Sequence, residues 1–146
     1  MIPTDCANPY SKKYIRCMPE KPLVLVTGAG GRIGRAFVTR NASRFRLRLA
    51  EIDDATLDPV RDHATDGALV FDIADAAACA EAVQGCDAVV HLAAKVDPWT
   101  TDLHGIARPN LMGVYEVFTA AANEPSVFGR TSRISSTSMA PMRVGF

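Results

Sequence analysis

The sequence predicts an α/β domain, a parallel sheet with helices on both faces, and three observations carry that prediction. Short apolar, β-branched runs alternate with stretches of helical period, the first such run ends in a cluster of glycines, and no repeat or low-complexity segment interrupts the order. Residues 22–27 form an apolar run bounded by Pro22 and Gly28, the pattern of a strand buried on both faces. Beyond it the period changes: Ile33, Ala36, Phe37 and Arg40 fall at i, i+3, i+4 and i+7, which predicts a helix from about Gly31 to Asn41 with that stripe inward. Residues 47–52 follow as a second strand and 68–71 as a short third. An alanine-rich helix is expected over 76–84, capped by Asp75 and closed by Gly85. Residues 88–92 (AVVHL) make a fourth strand. The last helix is expected over 109–123, with Pro109 in its first turn, Pro125 past its end, and Leu111, Val114, Phe118 and Ala121 along one inward stripe. Right-handed crossovers leave few other ways to arrange this alternation.

Composition narrows the function classes. The 146 residues hold 16 Lys+Arg and 16 Asp+Glu, so the net charge is zero, and only Arg40, Arg44, Arg46 and Arg48 lie close together. Nothing in that balance points to a nucleic-acid or membrane partner. No apolar run approaches a bilayer-spanning length, and residues 1–20 lack the continuous apolar core of a secretory signal, so a cytoplasmic protein is expected. Cys6, Cys17, Cys79 and Cys86 show neither CxxC spacing nor a companion histidine pair; no metal site is expected, and the thiols read as reduced and inert. Residues 1–20 have neither a 2-residue nor a 3.6-residue period and are expected to extend outside a domain covering 21–146.

Four of the ten glycines fall within positions 28–34, directly after the first strand. A G-x-x-x-x-G-K-[ST] loop is excluded because no glycine pair has that spacing, and G-x-G-x-x-G fails because Ile33 stands at its third glycine. What remains is G-x-x-G-x-x-G, with Gly28, Gly31 and Gly34. In a strand–turn–helix context, Gly28 would turn the chain off the strand, Gly31 would admit a pyrophosphate to bare amides, and Gly34 would let the helix pack closely. The helix N-terminus supplies unpaired donors and a partial positive charge, and Arg32 and Ile33 belong to the same phosphate-facing turn. A dinucleotide cofactor is the expected ligand.

The stretch VTGAGGRIG resembles the first turn of the extended short-chain dehydrogenase/reductase superfamily, in its NAD-dependent epimerase/dehydratase group. Phe71-Asp72-Ile73 resembles the family's acidic–apolar pair beside the adenine, and His91-Leu92-Ala93-Ala94 its HLAA stretch along the nicotinamide ribose and phosphates. Asn110, in NLMGVYEVF, matches the asparagine at the head of its next long helix, and LRLAEID looks most like uronate-dehydrogenase and sugar-epimerase members. The resemblance implies a Rossmann-type sheet, truncated here after about the fifth strand. By it, Asp72, Ile73, Leu92, Ala93, Ala94 and Asn110 border the cofactor. Each also has a local reading: Asp72 as a turn acid, His91 as a packed strand-end residue, Asn110 as a helix-start residue.

About 20 residues beyond the glycine turn a carboxylate is expected to read the adenosine ribose, and Glu51 and Asp53 lie at that distance. By resemblance Glu51 holds the family's acidic position, which favours NAD over NADP. Arg46 and Arg48, in the same strand, are the argument for NADP if their side chains reach forward to a phosphate.

The resemblance further implies a Ser or Thr on the fifth strand and a Tyr followed four residues later by Lys. Ser135-Ser136-Thr137 stands where the family has its paired serines, so Ser136 or Thr137 is the expected catalytic hydroxyl. The Tyr–Lys pair is missing: Tyr10, Tyr14 and Tyr115 are followed at the fourth position by Tyr14, Met18 and Thr119. Residues 129–135 are also too polar for a central strand, which suggests a chain cut short, with a shifted reading frame beyond about residue 126. Three functions stay open: the cofactor part of an oxidoreductase acting on a sugar or sugar acid, a non-catalytic dinucleotide sensor, and an α/β domain without ligand. Trp99, in the loop after the fourth strand, either faces a substrate or anchors that loop. The stripe at 109–123 either packs on the sheet or joins two copies of the chain.

Overall fold

In the computed structural model, which describes residues 20–127, four strands form one parallel sheet in the order β3-β2-β1-β4. They are β1 (Leu23–Thr27), β2 (Arg46–Glu51), β3 (Gly67–Val70) and β4 (Ala88–His91). Every residue of β1 is buried, as the central strand of a covered sheet requires. Its register pairs Val26 with Leu49 on one side and with Val90 on the other. Because the chain moves from β1 outward to β3 and then returns to the opposite side of β1 for β4, the strand order reverses between β1 and β4. A crevice opens at the carboxyl ends of strands at such a point.

The two sides of β1 feed two cores. Val24 and Val26 pack with Leu47, Leu49, Val38, Leu57 and Val60, whereas Leu23 and Leu25 pack with Ala50, Ala82, Val83, Cys86 and Ala121. Helix α1 (Arg32–Asn41) and the short α2 (Asp54–Leu57), continued by a 3-10 turn over Asp58–His63, therefore cover one face. Helices α3 (Ala76–Val83) and α5 (Gly113–Asn123) cover the other. Asp75 caps α3 by accepting hydrogen bonds from the amides of Ala77 and Ala78, and Gly85 follows the helix with φ +72°, the two signals the sequence offers for its ends.

Two expected stripes hold only in part: Phe37 packs half-buried against the core and Ala121 is buried, but the other members of both stripes are exposed. In α1 the buried residues are Gly34 and Val38, while Ile33 is 70% exposed and Ala36 is exposed too. The helix approaches the β1 turn so closely that a residue without a side chain, not an isoleucine, has to face it. The last helix behaves alike: α5 buries Gly113, Val117 and Ala121, while Phe118 is 60% exposed and Leu111, in the turn just before the helix, 68%. A Cβ on Gly113 would lie 2.6 Å from the Ile73 side chain, so the packed face is the small one.

Pro109 does not begin this helix. A helical segment starts earlier, as α4 (Leu103–Ala107), and passes through a π-turn at Arg108–Met112 into α5. The amide of Gly113 bonds the Arg108 carbonyl, a wide loop that accommodates the proline without breaking the rod. Cys79 and Cys86 are free and buried, and burial pushes both thiols up to about 11. No helix among the described residues is long and apolar enough to cross a membrane, and no group of three or more His, Cys, Asp or Glu there is placed to hold a metal.

Candidate functional site

Four glycines shape the first turn, for different steric reasons. Gly28 has φ +68°, and a Cβ on it would lie 2.5 Å from the Ala93 nitrogen, so the turn rests directly on the chain leaving β4. The Gly28 amide bonds the Ala50 carbonyl at 2.9 Å, which ties the turn to β2 as well. On Gly34 a Cβ would lie 2.1 Å from the Gly28 oxygen, and on Gly30 it would lie 1.8 Å from the Thr56 oxygen. Gly31 differs. Its φ of −66° and ψ of 168° suit any residue, and its Cβ would meet only the Gly28 oxygen, at 3.3 Å.

Gly31 is the N-cap of α1 and offers no side chain to the amides of the first turn. The exposed Arg32 and Ile33 follow it at the positive end of the helix dipole, and neither they nor Gly34 lines the cavity beside the turn. A cavity of about 480 Å³ opens here, lined on one side by Gly28, Gly31, Glu51, Ile52 and Thr56, and on the other by Leu92, Ala93, Ala94 and Lys95. Asp72 and Ile73, with Phe71, close the end towards β3, and Gly105, Arg108 and Pro109 close the wall from α4.

Glu51 ends β2 with only 9% of its surface exposed, yet it lines the cavity. One carboxylate oxygen accepts from the Gly30 amide at 2.9 Å, and the other from the Ile52 amide at 3.2 Å. The side chain thus fixes the glycine turn and keeps lone pairs for a donor from the cavity. Asp53 is placed otherwise: it caps α2 by accepting from the Thr56 amide and hydroxyl at 2.8 and 2.9 Å, and it does not line the cavity. Arg46 and Arg48 do not reach forward. Both pair with Asp66, and Arg48 also donates to the carbonyls of Ala82 and Gln84 at 2.8 Å, at the C-terminal end of α3.

Asp72 accepts from the Ala74 amide at 2.9 Å and from Arg108 through Nε and Nη2 at 3.1 and 3.0 Å. The Ala74 amide first, and then Arg108, hold its carboxyl below the ordinary carboxylate value. Asn110 does not line the cavity either; it clamps the chain that does, its Oδ1 accepting from the Lys95 amide at 2.8 Å and its Nδ2 donating to the Lys95 carbonyl at 2.9 Å.

Beneath the turn, His91 Nδ1 and the hydroxyl of the fully buried Thr27 share a hydrogen bond of 2.7 Å, joining the ends of β4 and β1. His91 Nε2 is buried without a partner, the ring packs edge-on against Phe118, and burial lowers its pKa below the usual 6.5. That is the packed strand-end reading of this residue. Ser136, Thr137, Tyr10 and Tyr14 lie outside the described residues. Among the cavity residues, the sequence pattern did not flag Thr56, Lys95 or Arg108, which enter from the short α2, from the chain after β4 and from the π-turn, none with a motif of its own.

A parallel sheet with a reversal of strand order, a side-chain-free turn at the reversal and a carboxylate at the end of the neighbouring strand define a Rossmann-type dinucleotide-binding domain. Residues 24–144 match the model of the NAD dependent epimerase/dehydratase family, and the chain belongs to that family. It is 31% identical over 102 residues to the NAD-dependent glucose-6-phosphate dehydrogenase of Haloferax volcanii, covering 68% of this chain and 38% of that one. It is 33% identical over 103 residues to the L-arabinose 1-dehydrogenase (NAD(P)(+)) of the same organism, covering 67% and 35%. Among solved structures, a mutant of uronate dehydrogenase from Agrobacterium tumefaciens, complexed with NAD, superimposes with a TM-score of 0.60 at 33% identity, covering 72% of this chain and 38% of that one. The chain thus spans little more than a third of the length of these relatives.

Proposed function

We propose that residues 21–146 are the NAD-binding part of an oxidoreductase of this family, acting on a sugar or sugar acid. One observation carries the reading: Gly31 has a backbone that any residue could adopt, yet it stands bare over the cavity and beside the unsatisfied amides of α1. A diphosphate fits that surface in chemistry, because it needs anion-directed N–H groups and a close approach to the backbone. Glu51 is the residue that receives the adenosine ribose hydroxyls, and its carboxylate repels a 2′-phosphate. Engagement of Arg46 and Arg48 with Asp66 supports NAD over NADP, since neither guanidinium reaches the cavity. Bound there, the cofactor supplies hydride transfer.

The sugar class rests on the activities of the relatives, a glucose-6-phosphate dehydrogenase, an arabinose dehydrogenase and a uronate dehydrogenase. A second reading is a dinucleotide-binding module without turnover, which would use the same glycine turn and cavity. Calorimetric titration of the chain with NAD and NADP, beside an assay of NAD reduction with those sugars, tests both. Saturable NAD binding, weaker NADP binding and no turnover are expected; absence of saturable binding by the folded chain would refute the cofactor reading.

A further inference from the structure

We propose that Arg108 is a positioning residue for the adenosine half of the dinucleotide, acting through Asp72. The inference rests on the cofactor reading above. Sheet order sets the direction of the ligand: with the diphosphate over the turn after β1 and the ribose at Glu51 after β2, the base lies towards the end of β3, where Asp72 and Ile73 stand. Arg108 comes from the opposite flank, on the chain that follows β4, and reaches across to Asp72 at a sequence distance of 36 residues. Their ion pair ties the two flanks of the cavity together at its base end.

The contact leaves Asp72 little freedom. One carboxylate oxygen is held by the Ala74 amide, and the other receives both Nε and Nη2 of Arg108. A carboxylate fixed on both oxygens presents its remaining lone pairs in one direction, which lowers the ordering cost when a base amine donates to it. Arg108 is itself anchored, because its carbonyl accepts the Gly113 amide in the π-turn and the next residue, Pro109, has a restrained backbone and lines the same wall. The side chains of Arg108 and Asp72 are 61% and 38% exposed, so the pair adds little to folding. What it fixes is the wall that the base meets.

Titration of the full 146-residue chain with NAD and with AMP, for the wild type, Arg108→Ala, Arg108→Lys, Asp72→Asn and the Arg108→Ala/Asp72→Asn double variant, decides the matter. Arg108→Ala is expected to weaken both ligands about fivefold, the effect of one part-exposed charged contact. Arg108→Lys should recover part of that loss, and the double variant should bind no more weakly than Asp72→Asn alone. Thermal unfolding should stay near the wild type throughout. Unchanged or tighter binding by Arg108→Ala, or losses that add in full, overturns the inference while leaving the cofactor reading intact. A wild-type chain that binds neither ligand overturns both.

Discussion

Replacing Gly31 by alanine separates the two uses of glycine in the first turn. The backbone at this position is already in a region open to alanine, and the new methyl group meets one atom, the Gly28 oxygen, at 3.3 Å. Crowding of that size is offset by the reduced freedom of the unfolded chain, about 0.4–1 kcal/mol in favour of alanine, so stability should change by less than about 1 kcal/mol. Binding should respond differently. A methyl group on the cavity side pushes a diphosphate off one charge-assisted amide contact, worth about 1.5–3 kcal/mol, which weakens NAD roughly 10- to 150-fold. Gly34→Ala is the control. Its methyl group would lie 2.1 Å from the Gly28 oxygen and 2.6 Å from that of Ala29, and forcing it in should cost about 1–3 kcal/mol of stability, each kcal/mol lowering Tm by about 2–4 °C in a chain of this size. Calorimetry and thermal unfolding on the two variants measure both quantities. If Gly31→Ala binds NAD like the wild type, or unfolds as early as Gly34→Ala, the glycine serves the turn and not a ligand.

Glu51→Gln keeps an acceptor for the Gly30 amide but removes the charge and sets an NH2 group against the Ile52 amide, so the preference for NAD over NADP in paired titrations should shrink at a cost of about 1 kcal/mol in stability; Glu51→Ala strands both amides and should cost more, about 1–3 kcal/mol in denaturant unfolding. Arg48→Ala breaks the part-buried pair with Asp66, which keeps Arg46, and uncaps α3, and should destabilise the fold by about 1–2 kcal/mol while leaving the ratio of NAD to NADP affinity as it is. His91 titrates below 6.5 in the fold because it is buried, so the unfolded chain takes up the proton first. Its contribution is therefore complete above pH 6.5 and is lost as pH falls from there through the folded value. Stability of the wild type minus that of His91→Asn, measured against pH, should fall over that window; a flat difference would show that the ring is not held neutral.

Much of the fold was legible because strand burial and the glycine turn leave local marks. The five residues of β1 are apolar or β-branched, Asp75 and Gly85 bracket α3, and Glu51 follows the turn at the spacing the ribose requires. The helix faces were not legible from apolar periodicity. Both α1 and α5 lie so close to their neighbours that Gly34 and Gly113, not Ile33 and Leu111, occupy the contact, and a pattern that counts large apolar residues points to the wrong side. Residues 53–66 hold too few periodic apolar positions to announce α2 and its 3-10 continuation, whose Leu57 and Val60 nonetheless enter the core. At the site, the carboxylates were visible by type, but their partners were not. The bonds of Asp72 to Arg108, of Asn110 to Lys95 and of Thr27 to His91 join residues 15 to 64 positions apart, and the tertiary path of the chain, not any local pattern, brings them together.

A crystal structure of this chain grown with NAD tests the central claim most directly. The expected result is diphosphate density over Gly31 and against the amides of Arg32 and Ile33, since the Gly31 amide already donates to the Gly28 carbonyl at 3.2 Å, with the adenosine ribose hydroxyls donating to Glu51 and the base beside Asp72. Density for the dinucleotide elsewhere on the surface, or a turn closed by the chain's own atoms at saturating NAD, would contradict it.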